Sequence, residues 1–223
     1  MSHYAGLPAT GVGGIGLFDT KTNLHELLYP GPGTDGVADW GSDNCPGSPG
    51  EAIASHGIHL SQRDDGQWQL LVVNHGGRES IEFFQLQMVN DKPAVRWRGC
   101  VVMPGSAFLN DVVALPGGGL LATQMMDKND PSSMQSAMAG GVSGHVWEWH
   151  PGTQVSIMKG SISPFPNGIQ ISPDGRYVYL NIYIRGELWK IERSSGRRVG
   201  MINIPGPDNS QWAADGRLLV TSH

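Results

Sequence analysis

The 223-residue chain is 39% hydrophobic and 16% charged, too apolar for disorder, and its 32 glycines and 15 prolines exclude a helical bundle. Its net charge of -5, with no dense basic run, argues against nucleic acid; Arg193, Arg197 and Arg198 gather only at a Ser-Ser-Gly turn and read as a solvated hairpin tip. No apolar stretch reaches the ~18 residues of a membrane span, and Met1-Ser2-His3-Tyr4 starts no visible signal peptide.

Short β-rich runs follow one another along the chain, and helical periodicity is almost absent. The first two are Gly14 to Phe18 and His25 to Tyr29, followed by Leu70 to Asn74 and Ile81 to Gln85. Val112 to Ala114 and Leu120 to Thr123 flank a Pro116-Gly-Gly-Gly119 turn. A polar, Met-bearing stretch from Met125 to Met138 reads as a long loop inserted between strands. His145 to Trp149, Tyr177 to Leu180, Glu187 to Lys190 and Leu218 to Val220 complete the series, punctuated by Asp174-Gly175 and Asp215-Gly216. Cys45 and Cys100 form no metal-type CxxC and, as one pair, no disulfide framework. Two reduced structural thiols are expected, which favours a reducing, cytoplasmic location.

Four segments repeat one design: a polar residue, an apolar strand, a Gly-containing turn and a second apolar strand. They begin at His56, Asn110, Asn167 and the Asp208-Asn209 pair, with His56, Asn110, Asn167 and Asn209 standing 54, 57 and 42 positions apart. That period suits blades of four strands. The expected fold is all-β, a six-bladed type of β-propeller with about four blades present, forming one domain over residues 1–223. A closed propeller of this kind needs about 300 residues. The expectation is therefore a partial propeller whose edges are covered by a second chain or in a homo-oligomer. In a propeller the first strand of each blade faces the axis, so the His, Asn and Asp residues at these strand mouths converge. Several side-chain oxygens meeting at one point call for a hard cation such as calcium rather than zinc.

The motifs Ser55-His-Gly-Ile58, Leu71-Val-Val-Asn-His75, Leu109-Asn-Asp-Val-Val-Ala114, Asn167-Gly-Ile-Gln-Ile-Ser-Pro-Asp-Gly175 and Asp208-Asn209 occur in an order that resembles the paraoxonase/arylesterase family. A more distant similarity is to gluconolactonase-type propellers. The resemblance implies a calcium-dependent hydrolase of small lactones and aryl esters. Asn110, Asn167, Asp208 and Asn209 match the family's catalytic calcium ligands, and His56 and His75 match a dyad that activates water. Asp111 and the backbone carbonyl of Ile58 match ligands of a second, structural calcium. An adjacent Glu-Asp pair that the family uses has no counterpart near the N-terminus.

Two rival readings stay open: a non-catalytic propeller fragment acting as a binding module, and a sugar lactonase of the gluconolactonase type. Gly11-Val-Gly-Gly-Ile-Gly16 spells GxGxxG but lacks the flanking strand and helix of a dinucleotide site. No GxSxG occurs, which argues against a serine hydrolase of the α/β type.

Overall fold

A computed structural model describes residues 2–3 and 13–223. Met1, Tyr4 and the start of the GxGxxG stretch lie outside the described residues. The chain forms two compact units, Met1–Gly105 with Pro151–Thr153, and Ser106–His150 with Gln154–His223.

The first unit opens with β1 (Ser2–His3), β2 (Gly14–Asp19) and β3 (Leu24–Tyr29), an antiparallel three-stranded sheet. A four-stranded antiparallel sheet follows in sequence order, β4 (Ser55–Gln62), β5 (Trp68–Asn74), β6 (Ser80–Val89) and β7 (Lys92–Val102). Leu70, Val72, Phe84, Val95 and Trp97 alternate along these strands into one apolar cluster with Ile15, Tyr29, Ile53 and Cys100. A carboxylate is buried beside it. Glu82 accepts from Arg78 Nε and Nη2 at 3.0 and 2.8 Å, from Ser80 Oγ at 2.6 Å and from Trp97 Nε1 at 2.8 Å. Burial pushes its pKa up, and the Arg78 guanidinium opposes that shift.

The outer edge of β7 is covered. Trp97 N donates to Thr34 O at 2.7 Å, Trp40 N to Arg98 O at 2.9 Å and Ser42 N to Cys100 O at 2.9 Å. This crossing segment stacks the Trp40 ring between the guanidinium groups of Arg63 and Arg98, 4.3 and 4.4 Å from its centroid. It also brings Cys45 onto Cys100, and the two are joined in a disulfide with Cα atoms 5.4 Å apart. The expectation of two reduced thiols is therefore corrected, and with it the ground for a reducing compartment. The pairing was hidden because 55 residues separate the cysteines, and the segment that carries Cys45 back along β7 has no strand signature of its own.

The second unit contains two further four-stranded antiparallel sheets. One is β8 (Ala107–Ala114), β9 (Leu120–Asp127), β10 (His145–Trp149) and β11 (Ser156–Ile157). The other is β12 (Pro166–Ile171), β13 (Tyr177–Ile182), β14 (Glu187–Glu192) and β15 (Arg197–Asn203). A hairpin of β16 (Pro207–Trp212) and β17 (Leu218–Ser222) follows. Val113, Leu121, Val146, Ile169, Val178, Leu180 and Trp189 pack into its core. The sheets with strands in sequence order are blades of a β-propeller, and inside this unit the first strand β12 lies against the first strands β8 and β16.

The stretch expected as a loop between β9 and β10 contains a helix, α1 (Pro131–Met138). Its start follows ordinary capping chemistry: Asp130 accepts from Ser132 N at 2.9 Å, and Pro131 occupies the first turn. Among the described residues no helix is long and apolar enough to cross a membrane.

Candidate active site

One irregularity recurs at the mouths of four first strands, β4, β8, β12 and β16. In β4 the ladder pairs Ser55 with Asn74 and then Ile58 with Val72, so His56 and Gly57 together face Val73. In β8, Leu109 pairs with Gln124 and Val112 with Ala122, which leaves Asn110 and Asp111 opposite Thr123. In β12, Asn167 and Gly168 oppose Asn181 in the same way, and in β16 Asp208 and Asn209 oppose Thr221. Two residues facing one is a β-bulge, which breaks the pleat and re-aims side chains. The polar residues singled out by the repeat are therefore the ones lifted out of regular pairing.

Side chains of facing residues bond the backbone at two of these bulges, those of β8 and β16. Thr123 Oγ1 accepts from Asp111 N at 2.9 Å, and Thr221 Oγ1 accepts from Asn209 N at 2.9 Å. Asn181 Nδ2 donates to Asp208 O at 2.5 Å and to Ser210 Oγ at 2.9 Å. These three partners are invisible in the repeat, because Thr and Asn in the second strand of a blade look like ordinary strand polarity.

In the second unit the bulges of β8, β12 and β16 interlock. Asp111 Oδ2 accepts from Ile169 N at 3.0 Å, while its Oδ1 accepts from Val112 N at 2.9 Å. Gly168 is packed so tightly that a Cβ there would stand 2.1 Å from Asp208 O and 2.9 Å from Asn209 Cα. Burial pushes the Asp111 carboxyl up to about 7; the two backbone N–H donors pull it down and nearby Asp208 adds to the rise. Asn110 is buried with its Nδ2 3.2 Å from Met125 Sδ. Asn167 is 5% exposed, and its Oδ1 has no hydrogen-bond partner among the described residues. Asp208 is half-buried and its Oδ2 stands 2.9 Å from His223 Nε2. Asn209 is exposed.

In the first unit His56 Nδ1 stands 3.1 Å from His75 Nε2. His75 follows β5 directly, and its Nδ1 is 3.0 Å from both carboxylate oxygens of Glu79. The His75 and Glu79 side chains are each 2% exposed. Glu79 was not anticipated, since a glutamate after a Gly-Gly turn reads as solvated surface. Ile58 resumes the β4 ladder opposite Val72 and is 38% exposed.

The donor set of the second unit suits a hard cation. It consists of amide and carboxylate oxygens, and the buried, unpartnered Asn167 Oδ1 is the kind of group that a cation would satisfy. Among the described residues no group of three His, Cys, Asp or Glu stands close enough together to hold a metal ion.

Four-stranded antiparallel blades with polar bulges at the mouths of their first strands define a β-propeller protein. The chain belongs to the SMP-30/Gluconolactonase/LRE-like region family, whose model matches residues 53–216. It is 30% identical over 128 residues to human serum paraoxonase/arylesterase 1, a match covering 56% of this chain and 35% of that protein, so it spans about a third of that relative's length. Among solved structures, the calcium-binding protein regucalcin from Agrobacterium tumefaciens matches with a TM-score of 0.49 at 13% identity, over 98% of this chain and 65% of that one. The Cps50 (Swd1) β-propeller domain of Myceliophteria thermophila matches with a TM-score of 0.47 at 15% identity, over 74% of this chain and 49% of that one.

Proposed function

We propose that the protein is a calcium-dependent hydrolase of lactones and aryl esters. The observation that carries the reading is the repeated bulge, which takes Asn110, Asn167 and Asp208 out of strand pairing on three neighbouring strands and leaves a buried Asn167 oxygen without a partner. Membership of the lactonase family and the arylesterase name of the human relative favour the same reaction class.

In this reading Asn110, Asn167, Asp208 and Asn209 would hold the ion, which when bound would supply the positive charge that polarises an ester carbonyl. The chain's own part is proton handling. His56 and His75, in hydrogen-bond contact at 3.1 Å, take up the proton released as water attacks. The buried Asp111, hydrogen-bonded to Ile169 N, ties β8 to β12 and so fixes the spacing of the oxygen donors.

The purified chain is expected to hydrolyse phenyl acetate or an aliphatic lactone with calcium present, and to lose that activity in EDTA. His56→Gln should lower kcat by roughly 10²- to 10⁴-fold, and Asn167→Ala should raise the calcium needed for half-maximal activity by at least ~10-fold. Turnover that survives both substitutions and EDTA would rule the reading out. Turnover of gluconolactone alone would shift the substrate class to sugar lactones, and no turnover by folded, calcium-bound protein would leave a binding module.

A further inference from the structure

We propose that Glu79 is a positioning residue that holds the His75–His56 pair in a single tautomer, with the lone pair of His56 on Nε2. The inference rests on the reading that the two histidines handle the proton of an attacking water.

The argument follows the hydrogen bonds outward from the carboxylate. An ionised glutamate only accepts, and both its oxygens lie 3.0 Å from His75 Nδ1, so that nitrogen carries the hydrogen. In a neutral imidazole the other nitrogen is then an acceptor. His75 Nε2 faces His56 Nδ1 at 3.1 Å, so His56 Nδ1 must donate, and the lone pair of His56 is left on Nε2. One carboxylate thereby sets the polarity of two rings. A proton arriving at His56 Nε2 releases the one on Nδ1 to His75 Nε2, and the resulting His75 imidazolium stays paired with Glu79. His56 ends neutral with its hydrogen on Nε2, and the carboxylate remains ionised throughout.

The scaffold beneath this chain is rigid. Asn74, fully buried at the end of β5, accepts from Ala54 N at 2.8 Å and from Gly76 N at 2.9 Å. Its Nδ2 donates to Gly76 O at 3.1 Å. Gly76 runs so close to Ala52 that a Cβ would stand 1.6 Å from the Ala52 carbonyl oxygen. The turn that carries both His75 and Glu79 is therefore tied to the end of β5 and packed against Ala52 and Ala54.

The test combines ¹⁵N NMR of the histidine rings in the full chain with steady-state hydrolysis of phenyl acetate in calcium. The expected wild-type spectrum shows His56 and His75 each protonated on Nδ1 alone. His56 protonated on Nε2 in the wild type would overturn the proposal, and this measurement requires no variant to fold. Glu79→Gln removes the charge and offers a donor as readily as an acceptor. It should mix the tautomers and lower kcat on the order of 10²-fold with KM little changed, whereas Glu79→Asp should restore part of both. Unmixed wild-type tautomers in folded Glu79→Gln would also overturn it. The outcomes separate the two readings. The expected tautomers in a protein that hydrolyses nothing would uphold the role of Glu79 and sink the hydrolase, whereas full turnover by Glu79→Gln would sink that role and leave the hydrolase standing.

Discussion

At the scale of single residues, the most unusual group is Asp111. Its carboxyl is buried and raised from 3.8 to about 7, first by loss of water and last by the neighbouring Asp208 charge. A carboxyl raised in the folded state binds its proton more tightly there than in the unfolded chain, so it contributes stability below pH ~4 and loses that contribution as pH rises toward 7. A shift of about 3 units corresponds to roughly 4 kcal/mol at full effect. In calcium-free buffer, the stability of Asp111→Asn relative to wild type should therefore improve by a few kcal/mol between pH 4 and pH 7, as read from urea midpoints at each pH. Calcium should narrow that gap at pH 7, because a cation held beside Asp111 favours its ionised form. A gap that ignores both pH and calcium would show that the carboxyl carries no such burden. Asp111 was legible as part of an Asn-Asp motif, but its burial was not, because only the strand packing places Ile169 N over its oxygen. Glu79 was illegible for the same reason, since its two hydrogen bonds depend on a turn buttressed by Asn74.

At the scale of elements, the inner strands were legible because period-2 alternation and Gly-containing turns are local signals, whereas the outer strands β7 and β15, which carry basic residues, were not. What the sequence could not show was the bulge. A two-against-one pairing leaves the spacing of polar residues unchanged, and only the register of the ladder reveals it. The helix α1 was missed because eight residues give too few turns for periodicity, although Asp130-Pro131 is a start signal. Gly168 tests the interlocking of β12 and β16 directly. Its backbone is not left-handed, so substitution acts only through space: an alanine methyl would stand 2.1 Å from Asp208 O and 2.8 Å from Asn181 Nδ2. Gly168→Ala should push β16 away, cost about 1–3 kcal/mol and weaken calcium binding measured by calorimetry. Wild-type calcium affinity in a folded Gly168→Ala would mean that the spacing of these two strands does not set the ion site.

At the scale of the whole chain, the blade period was legible because equivalent polar positions recur through more than half of the sequence, whereas long-range covalent closure was not. The Cys45–Cys100 disulfide closes a loop of 55 residues, and that loop contains β4, β5, β6 and most of β7. Within the chain-entropy account, closing such a loop restricts the unfolded ensemble by about 4 kcal/mol. The native side needs little help from the bond, since Ser42 N already binds Cys100 O and Trp40 is held between two arginines. The stabilisation should therefore appear in the unfolding equilibrium rather than in the native contacts. Cys45→Ser/Cys100→Ser should fold with an unchanged far-ultraviolet spectrum but a urea midpoint lowered by an amount equivalent to a few kcal/mol, and reductant should move only the wild type toward that value. If reductant leaves the wild-type midpoint unmoved while free-thiol titration reports two reactive cysteines, the segment from Thr34 to Ser42 holds the edge of β7 by hydrogen bonds and stacking alone.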